Sequence, residues 1–169
     1  MPGSLSHLAR RFFDVLFSRP LAPDEAATVR GLLSPAEAVI FFSQPGPDQR
    51  HGYHAATIVL ESGQKDRAVT RAALLHDIGK RHTRLGVVGR SLASILIRLR
   101  LPMTRRAALY RDHGEIGADE LSGLGCEPIV VDFARAHHGP RPESVPETIW
   151  DLLQLADQPP KPGAGPGPE

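Results

Sequence analysis

The chain has 169 residues, of which 41% are hydrophobic and 23% charged, as is typical of one globular domain with a substantial core. Its net charge of +1 gives no broad footprint for nucleic acid or an anionic membrane. The single cysteine, Cys126, excludes a disulfide framework or a thiolate metal cluster within one chain. No apolar run could span a membrane and no signal-peptide pattern is present, so we expect a cytoplasmic protein.

The N-terminal part of the chain predicts three helices, over residues 4–18, 23–31 and 34–42. Residues 34–37 read Ser-Pro-Ala-Glu, which is a capping box with proline at the first helical position. We expect residues 1–44 to form a helical extension packed on the core.

The rest of the chain also shows helical periodicity, and no segment has the alternation of a half-buried strand. The sequence therefore predicts an all-α fold, a compact bundle of about eight helices. Further helices are predicted over 48–62, 65–77, 91–101, 113–124, 128–138 and from 147 onwards. Residues 81–89 are predicted as a basic loop and 102–112 as irregular or partly helical. Residues 144–147, Ser-Val-Pro-Glu, predict a second capping box. The main domain is predicted over 45–158, and the Pro/Gly-rich residues 159–169 as a disordered tail.

Residues 71–80, Arg-Ala-Ala-Leu-Leu-His-Asp-Ile-Gly-Lys, carry the strongest chemical signal. His76 continues the apolar stripe of the helix, and Asp77 lies beside it. A core-facing carboxylate is unfavourable unless a partner offsets its desolvation, and a divalent cation would do so. Gly79 is predicted to end the helix, which places Lys80 where its ammonium could reach an anionic ligand. The alternative is a polar His-Asp step exposed at a helix C-terminus.

Other metal-type side chains lie on the apolar stripes of separate predicted helices. They are His51, with His54 one turn away as an alternative, His113, His137 or its neighbour His138, and Asp157. A lone inward histidine is more often a hydrogen-bonded core residue than a ligand. Several helices that each bury one such group are more readily explained by a common site, because separate burials would each need a satisfied partner.

The order His51, His76-Asp77, Asp157 resembles the HD phosphohydrolase superfamily, which is named for its histidine-aspartate pair. The segments Arg50-His51 and 76–80 are similar to its two most recognisable motifs, and the resemblance covers about residues 48–157. His113 and the pair His137-His138 stand at places used by the two-metal branch. That branch includes the HD-GYP cyclic-di-GMP phosphodiesterases and bacterial diadenosine tetraphosphate hydrolases. After His138 the chain reads Gly-Pro-Arg-Pro, so the Gly-Tyr-Pro element of the former is absent.

The resemblance implies a site of one or two divalent metal ions. In that reading one ion is bound by His51, His76, Asp77 and Asp157. Asp77 also bridges to a second ion held by His113 and His137, with or without His138. Nitrogen and oxygen ligands suit iron, manganese, zinc, nickel or cobalt without choosing among them. Asp77 and Lys80 would be the catalytic residues, Asp77 by bridging the ions and Lys80 by neutralising phosphoryl oxygens.

Several basic residues near these ligands in the sequence could bind a substrate phosphate or a base: Arg50, Lys80, Arg81, His82 and Arg84. A solvated basic loop is an equally good interpretation.

The sequence thus predicts a metal-dependent phosphohydrolase acting on a nucleotide, a dinucleotide or another small phosphate. The alternatives are a catalytically silent ligand-sensing or scaffold domain of the same fold, and a helical interaction protein with coincidental histidines. We expect no membrane partner and no nucleic acid, and the sequence leaves room for a homodimer.

Overall fold

The computed structural model describes residues 19–158. In this range the chain forms α-helices, one 3-10 helix and no strand, which confirms the predicted all-α class. The predicted helix over 4–18 and the predicted tail over 159–169 lie outside the described residues. In chain order the elements are α1 (Pro23–Leu32), α2 (Pro35–Phe42), α3 (Gly46–Glu61), α4 (Arg67–Leu75), the 3-10 helix (Ile78–Thr83), α5 (Val87–Arg98), α6 (Arg105–Arg111), α7 (His113–Gly123), α8 (Pro128–Ala136) and α9 (Glu147–Ala156).

Helix α4 is the centre of the bundle. Seven of its nine residues are buried, including Val69, Ala72 and Leu75 of the predicted stripe. It packs against α1, α3, α8 and α9, while α7 packs against α8 and the 3-10 helix. Because α4 is buried on nearly all sides, its position in the bundle is fixed. His76 and Asp77 directly follow its last residue, so their positions are fixed as well.

The predicted second and third helices form with nearly the predicted ends. At the start of α2, Ser34 Oγ accepts a hydrogen bond from Glu37 N, and Ser34 N donates to Glu37 Oε2 at 2.8 Å. The capping box read from the sequence is therefore present. How residues 1–44 divide from the main domain stays a prediction.

The second predicted capping box is wrong. Helix α9 begins after Pro146, whose side chain makes no cap hydrogen bond, and Ser144 Oγ donates instead to Asp132 Oδ2 at 2.6 Å. In Ser-Val-Pro-Glu the proline disfavours a helical conformation at the preceding Val145, so the helix cannot start there. In Ser-Pro-Ala-Glu the residue before proline is the cap itself, which is extended in any case.

The predicted basic loop over 81–89 is only partly confirmed, because only residues 84–86 lie outside a helix. Residues up to Thr83 belong to the 3-10 helix, and α5 starts at Val87.

Gly79 does not end α4, which stops at Leu75, but lies inside the 3-10 helix. A Cβ at Gly79 would lie 2.0 Å from the carbonyl oxygen of His113, so glycine is required there for the close approach of α7.

No helix in residues 19–158 has the length and apolarity needed to cross a membrane.

Candidate metal centre

Three helices end at one place inside the bundle. His76, His137 and Asp157 are the C-cap residues of α4, α8 and α9, respectively. His113 is the first residue of α7, and His51 projects from α3. The C-terminal end of a helix carries a partial negative charge, so three such ends converging on one point favour a cation there.

Asp77 stands between two groups of these side chains. Its Oδ2 lies 3.5 Å from His76 Nε2 and 3.7 Å from His51 Nε2, while its Oδ1 lies 3.2 Å from His113 Nε2 and 3.4 Å from His137 Nε2. Asp157 completes the first group, because its Oδ1 lies 3.0 Å from Nε2 of both His51 and His76. The structure therefore places each oxygen of the Asp77 carboxylate toward a different pair of imidazoles.

Three of the imidazoles are held in one orientation by the same contact. Nδ1 of His76 lies 2.9 Å from the Ala73 carbonyl oxygen. Nδ1 of His113 and of His137 lie 2.6 Å and 2.8 Å from the carbonyl oxygens three residues earlier. Because a carbonyl can only accept, Nδ1 carries a hydrogen in each ring, so that in the neutral imidazole Nε2 is the atom with a free lone pair, and it faces the centre of the site. This is the arrangement by which proteins orient a metal-binding histidine.

The spacing of the donor atoms fits a bound ion. Two donors each about 2.1 Å from one ion are about 3.0 Å apart at an octahedral edge and about 3.4 Å apart in a tetrahedron. His51 Nε2 and His76 Nε2 are 3.3 Å apart, and so are His113 Nε2 and His137 Nε2. Lone pairs facing each other at this distance repel unless a cation or a shared proton lies between them.

One atom of the site lacks a hydrogen bond. Asp77 Oδ1 is buried and accepts none from any residue in the described range. A buried carboxylate oxygen without a donor is unfavourable by about 1–3 kcal/mol or more. A cation bound by His113, His137 and this oxygen would offset the free-energy cost of burying the oxygen without a hydrogen bond. The residues present therefore fit a metal ion.

Charges in the site shift the pKa values of its members. Burial lowers the pKa of His76, but Asp77 and Asp157 outweigh burial and raise it to about 10. Burial raises the pKa of Asp157, but the opposing charge of His76 and the hydrogen bonds from His51 and His76 hold it well below its ordinary value. Burial lowers the pKa of His137 and so favours the neutral ring that a metal ligand requires.

His138 and His54 were the open alternatives in the sequence. The ring centroids of His138 and His137 lie 4.0 Å apart, with the ring planes tilted by 48°. His138 belongs, with Asp77, His113 and His137, to a group whose ligand atoms lie within 4.8 Å of one another. The other such group is His51, His76 and Asp77, and His54 belongs to neither.

Lys80 is buried rather than solvated. Its Nζ donates to Asp77 Oδ2 at 2.5 Å, and its side chain also forms part of the wall of a neighbouring cavity. Burial lowers the pKa of Lys80, but the Asp77 carboxylate outweighs burial and raises it. The ammonium therefore connects the carboxylate between the two histidine pairs to the cavity.

The cavity has a volume of about 390 Å³ and a basic lining. Its charged residues are Lys80, Arg81, Arg84 and Arg90, and its other walls are Pro45, Pro47, Leu85 and Gly86. Arg90 is not among the residues predicted to bind phosphate; it lies between the predicted loop over 81–89 and the predicted helix over 91–101. It forms two hydrogen bonds with the buried carboxylate of Asp48, at 2.5 and 2.7 Å.

Two of the arginines suggested for phosphate binding are engaged elsewhere. Arg50 donates to both carboxylate oxygens of Glu25 and to the carbonyls of Arg19 and Pro20, and it does not line the cavity. Arg81 donates to both oxygens of Glu120, at 2.7 and 2.8 Å. Arg84 is exposed and forms no ion pair within the described part of the chain.

A family model described as HD domain matches residues 50–164 of the chain. This range covers more than half of the chain and contains every side chain of the two histidine groups. No curated protein and no solved structure matches the chain.

Proposed function

Because this chain belongs to the HD domain family, whose members are generally hydrolases, we propose that it is a metal-dependent phosphohydrolase. Its substrate in this proposal is a nucleotide or a related small phosphate, cleaved at a phosphoester or phosphoanhydride bond. The observation that carries the proposal is the Asp77 carboxylate, buried between two pairs of imidazoles with one oxygen lacking a hydrogen bond.

The proposed ligands follow the two groups in the structure. His51, His76, Asp157 and Asp77 Oδ2 would hold one ion, and His113, His137 and Asp77 Oδ1 the other, with His138 at its edge. Iron, manganese, zinc, nickel and cobalt all accept such nitrogen and oxygen ligands. When bound, such ions lower the pKa of a coordinated water and polarise a phosphoryl oxygen.

The protein's own residues would orient and neutralise the substrate. The fixed Nδ1–H hydrogen bonds of three histidines keep the donor atoms in place without reorganisation. Lys80 lies between Asp77 and the cavity, where its ammonium would stabilise negative charge on non-bridging phosphoryl oxygens. Arg84 would bind a further phosphate of the substrate, and the proline and leucine walls of the cavity suit an apolar ring.

Replacement of Asp77 tests the proposal. Wild-type protein purified without chelator is expected to contain one or two transition-metal ions and to hydrolyse at least one member of a panel of nucleotides and dinucleotides with Mn²⁺. Asp77→Asn keeps the size of the side chain, but it removes the negative charge and replaces one of the two ligand oxygens with an amide NH2, so we expect loss of metal and about a thousandfold loss of turnover. Elemental analysis and phosphate release measure the two quantities.

A matched control is Asp151→Asn, on the exposed side of α9, which should change neither quantity. Hydrolysis that survives in metal-depleted Asp77→Asn would contradict the proposal. A wild-type protein that retains metal but hydrolyses nothing on the panel would indicate the silent sensing or scaffold domain instead.

A further inference from the structure

Helix α5 exposes an apolar stripe. Val88, Leu92 and Ile95 of the helix and its C-cap residue Leu99 are 69%, 56%, 41% and 60% exposed, at spacings of four, three and four residues. At 100° per residue these positions fall within about 60° of arc, so they form one ridge along the helix. Ala93, on the opposite side, is buried. Apolar groups exposed as a continuous ridge usually mark a contact surface.

The same part of the sequence is strongly basic. Residues 78–111 contain nine Lys and Arg and no Asp or Glu, which leaves 11 Lys and Arg against all 19 acidic residues in the rest of the chain. The overall charge of +1 therefore hides a separation of charge along the chain. Such a separation creates a local field that the total charge does not show.

Part of this positive charge is available at the surface. Lys80 forms an ion pair with the nearby Asp77, and Arg81 and Arg90 form ion pairs with acidic residues farther away in the chain. In contrast, four arginines are exposed and form no ion pair with any residue from 19 to 158: Arg84 before α5, Arg100 after it, and Arg105 and Arg106 at the start of α6. The stripe is thus flanked along the chain by uncompensated cations on both sides.

From this combination we infer that α5 and the start of α6 dock the protein peripherally on an anionic lipid surface. The ridge inserts at the boundary between headgroups and acyl chains, and the flanking arginines contact the lipid phosphates. This inference does not depend on hydrolysis. It revises the expectation of no membrane partner, which followed from the net charge of the whole chain.

Other occupants fit the surface less well. A second copy of the chain would bring two basic segments without acidic residues together, and these would repel each other. A ridge on a helix of 12 residues is also small compared with the roughly 800 Å² that each partner buries in a stable interface. Single-stranded nucleic acid binds largely by base stacking on aromatic side chains, and Tyr110, the one aromatic residue in 78–111, is instead stacked on His113. A duplex binds through phosphate contacts and would leave the apolar ridge in water. A ridge also requires a partner that can deform around it, which a lipid surface does.

Vesicle binding by the full chain tests the inference. We expect the protein to sediment with phosphatidylcholine vesicles that contain about 30% phosphatidylserine, and not with pure phosphatidylcholine vesicles. Binding should fall steeply between about 0.1 M and about 1 M NaCl, because the Debye length shortens from about 10 Å to about 3 Å. Arg105→Gln with Arg106→Gln should lower the partition coefficient about fivefold for each charge removed.

The apolar contribution has a matched control. Val88→Ser with Leu92→Ser should lower anionic-vesicle binding at least about tenfold. Val39→Ser with Leu60→Ser, at positions that are 71% and 43% exposed elsewhere on the surface, should leave binding within about twofold. Thermal unfolding of each variant shows that the fold is kept.

Absence of binding to anionic vesicles at low salt overturns the inference, and so does an equal effect of the two double variants. A dimer dissociated by Val88→Ser with Leu92→Ser, without vesicle binding, would assign the stripe to a second copy and also overturn it. If only a chain shortened by residues 1–18 binds vesicles, the stripe is covered within the intact protein, and the inference fails.

Discussion

At the scale of single residues, Asp77 is a buried carboxylate whose desolvation must be offset by its neighbours. The residue is 3% exposed, one carboxylate oxygen has no hydrogen-bond donor in the described range, and the other accepts a hydrogen bond from the Lys80 ammonium. Burial raises the pKa of Asp77, but Lys80, His76 and the neighbouring histidines outweigh it and hold the pKa well below its ordinary value. The carboxylate is therefore kept ionised, the form that binds metal.

Lys80 is placed to act on the substrate rather than on metal retention. Lys80→Met removes the ammonium that lines the cavity while keeping a side chain of similar length, and the proposed ligands are unchanged. We expect kcat to fall about a hundredfold, the scale of removing one electrostatic stabiliser of the transition state, with metal content unchanged. Steady-state kinetics and elemental analysis on the same preparation measure both.

Lys65→Met is the control for Lys80→Met, because Lys65 is exposed and makes no ion pair in the described structure. It should leave kcat and metal content as in the wild type. If Lys80→Met instead loses metal while turnover per bound ion stays the same, Lys80 would be a structural partner of Asp77 and not a catalytic residue.

At the scale of elements, the helices themselves were largely predictable and their junctions were not. The capping box identified α2, and periodicity identified α7 and α8, each to within about two residues. Periodicity could not show that the segment after α4 winds into a 3-10 helix, because that turn is set by the approach of α7. The role of Gly79 was misassigned for the same reason: a glycine after an apolar run usually ends a helix, and only the tertiary contact with His113 shows otherwise.

Gly79→Ala tests that contact. The added Cβ would lie 2.0 Å from His113 O and 2.8 Å from Gly117 N, both of them backbone atoms, so the 3-10 helix and α7 must separate. Overpacking of this kind is typically unfavourable by about 1–3 kcal/mol or more. Since His113 is also a proposed ligand, metal content should fall together with the free energy of unfolding, measured by urea titration.

The matched substitution is Gly31→Ala in α1, where nothing lies within 4 Å of the added Cβ. It should be neutral or stabilise by up to about 1 kcal/mol, because alanine favours the helix. A Gly79→Ala protein as stable as Gly31→Ala and with full metal content would show that α7 does not need this close approach.

At the scale of the whole molecule, the convergence of the proposed ligand side chains could be predicted, but the arrangement of the basic residues around them could not. The proposed ligands are spread over more than 100 residues of sequence, and each is a metal-type side chain on the apolar stripe of a predicted helix. In the structure the first and the last of them meet, because His51 Nε2 lies 3.0 Å from Asp157 Oδ1. Arg50 and Arg81 lay beside the motifs in sequence, yet both are held by acidic residues far away in the chain, Glu25 and Glu120. Partners of this kind follow from tertiary packing, which neighbouring sequence does not encode.

One buried ion pair connects distant parts of the bundle. Glu37 of α2 is 1% exposed and accepts hydrogen bonds from Ser34 N and from the guanidinium of Arg71 in α4, and Arg71 also binds Glu127 at the start of α8. Burial raises the pKa of Glu37, but the hydrogen bonds from Arg71 and Ser34 outweigh it and lower the pKa below the ordinary 4.5. The unfolded state then binds the proton more readily than the folded state does.

Glu37→Gln should therefore change how stability depends on pH. At pH 7 it removes one partner of a buried pair, so we expect the free energy of unfolding to fall by about 3–5 kcal/mol. The contribution of Glu37 is fully present above pH 4.5 and is lost as pH falls through its lower folded pKa, so wild type and variant should converge in acid. Urea titrations from about pH 7 to about pH 3 measure the difference, with the exposed Glu143→Gln as control. A difference that stays constant across this range would show that the Glu37 carboxylate gains nothing from its charge, and that α2 is held to the core by packing alone.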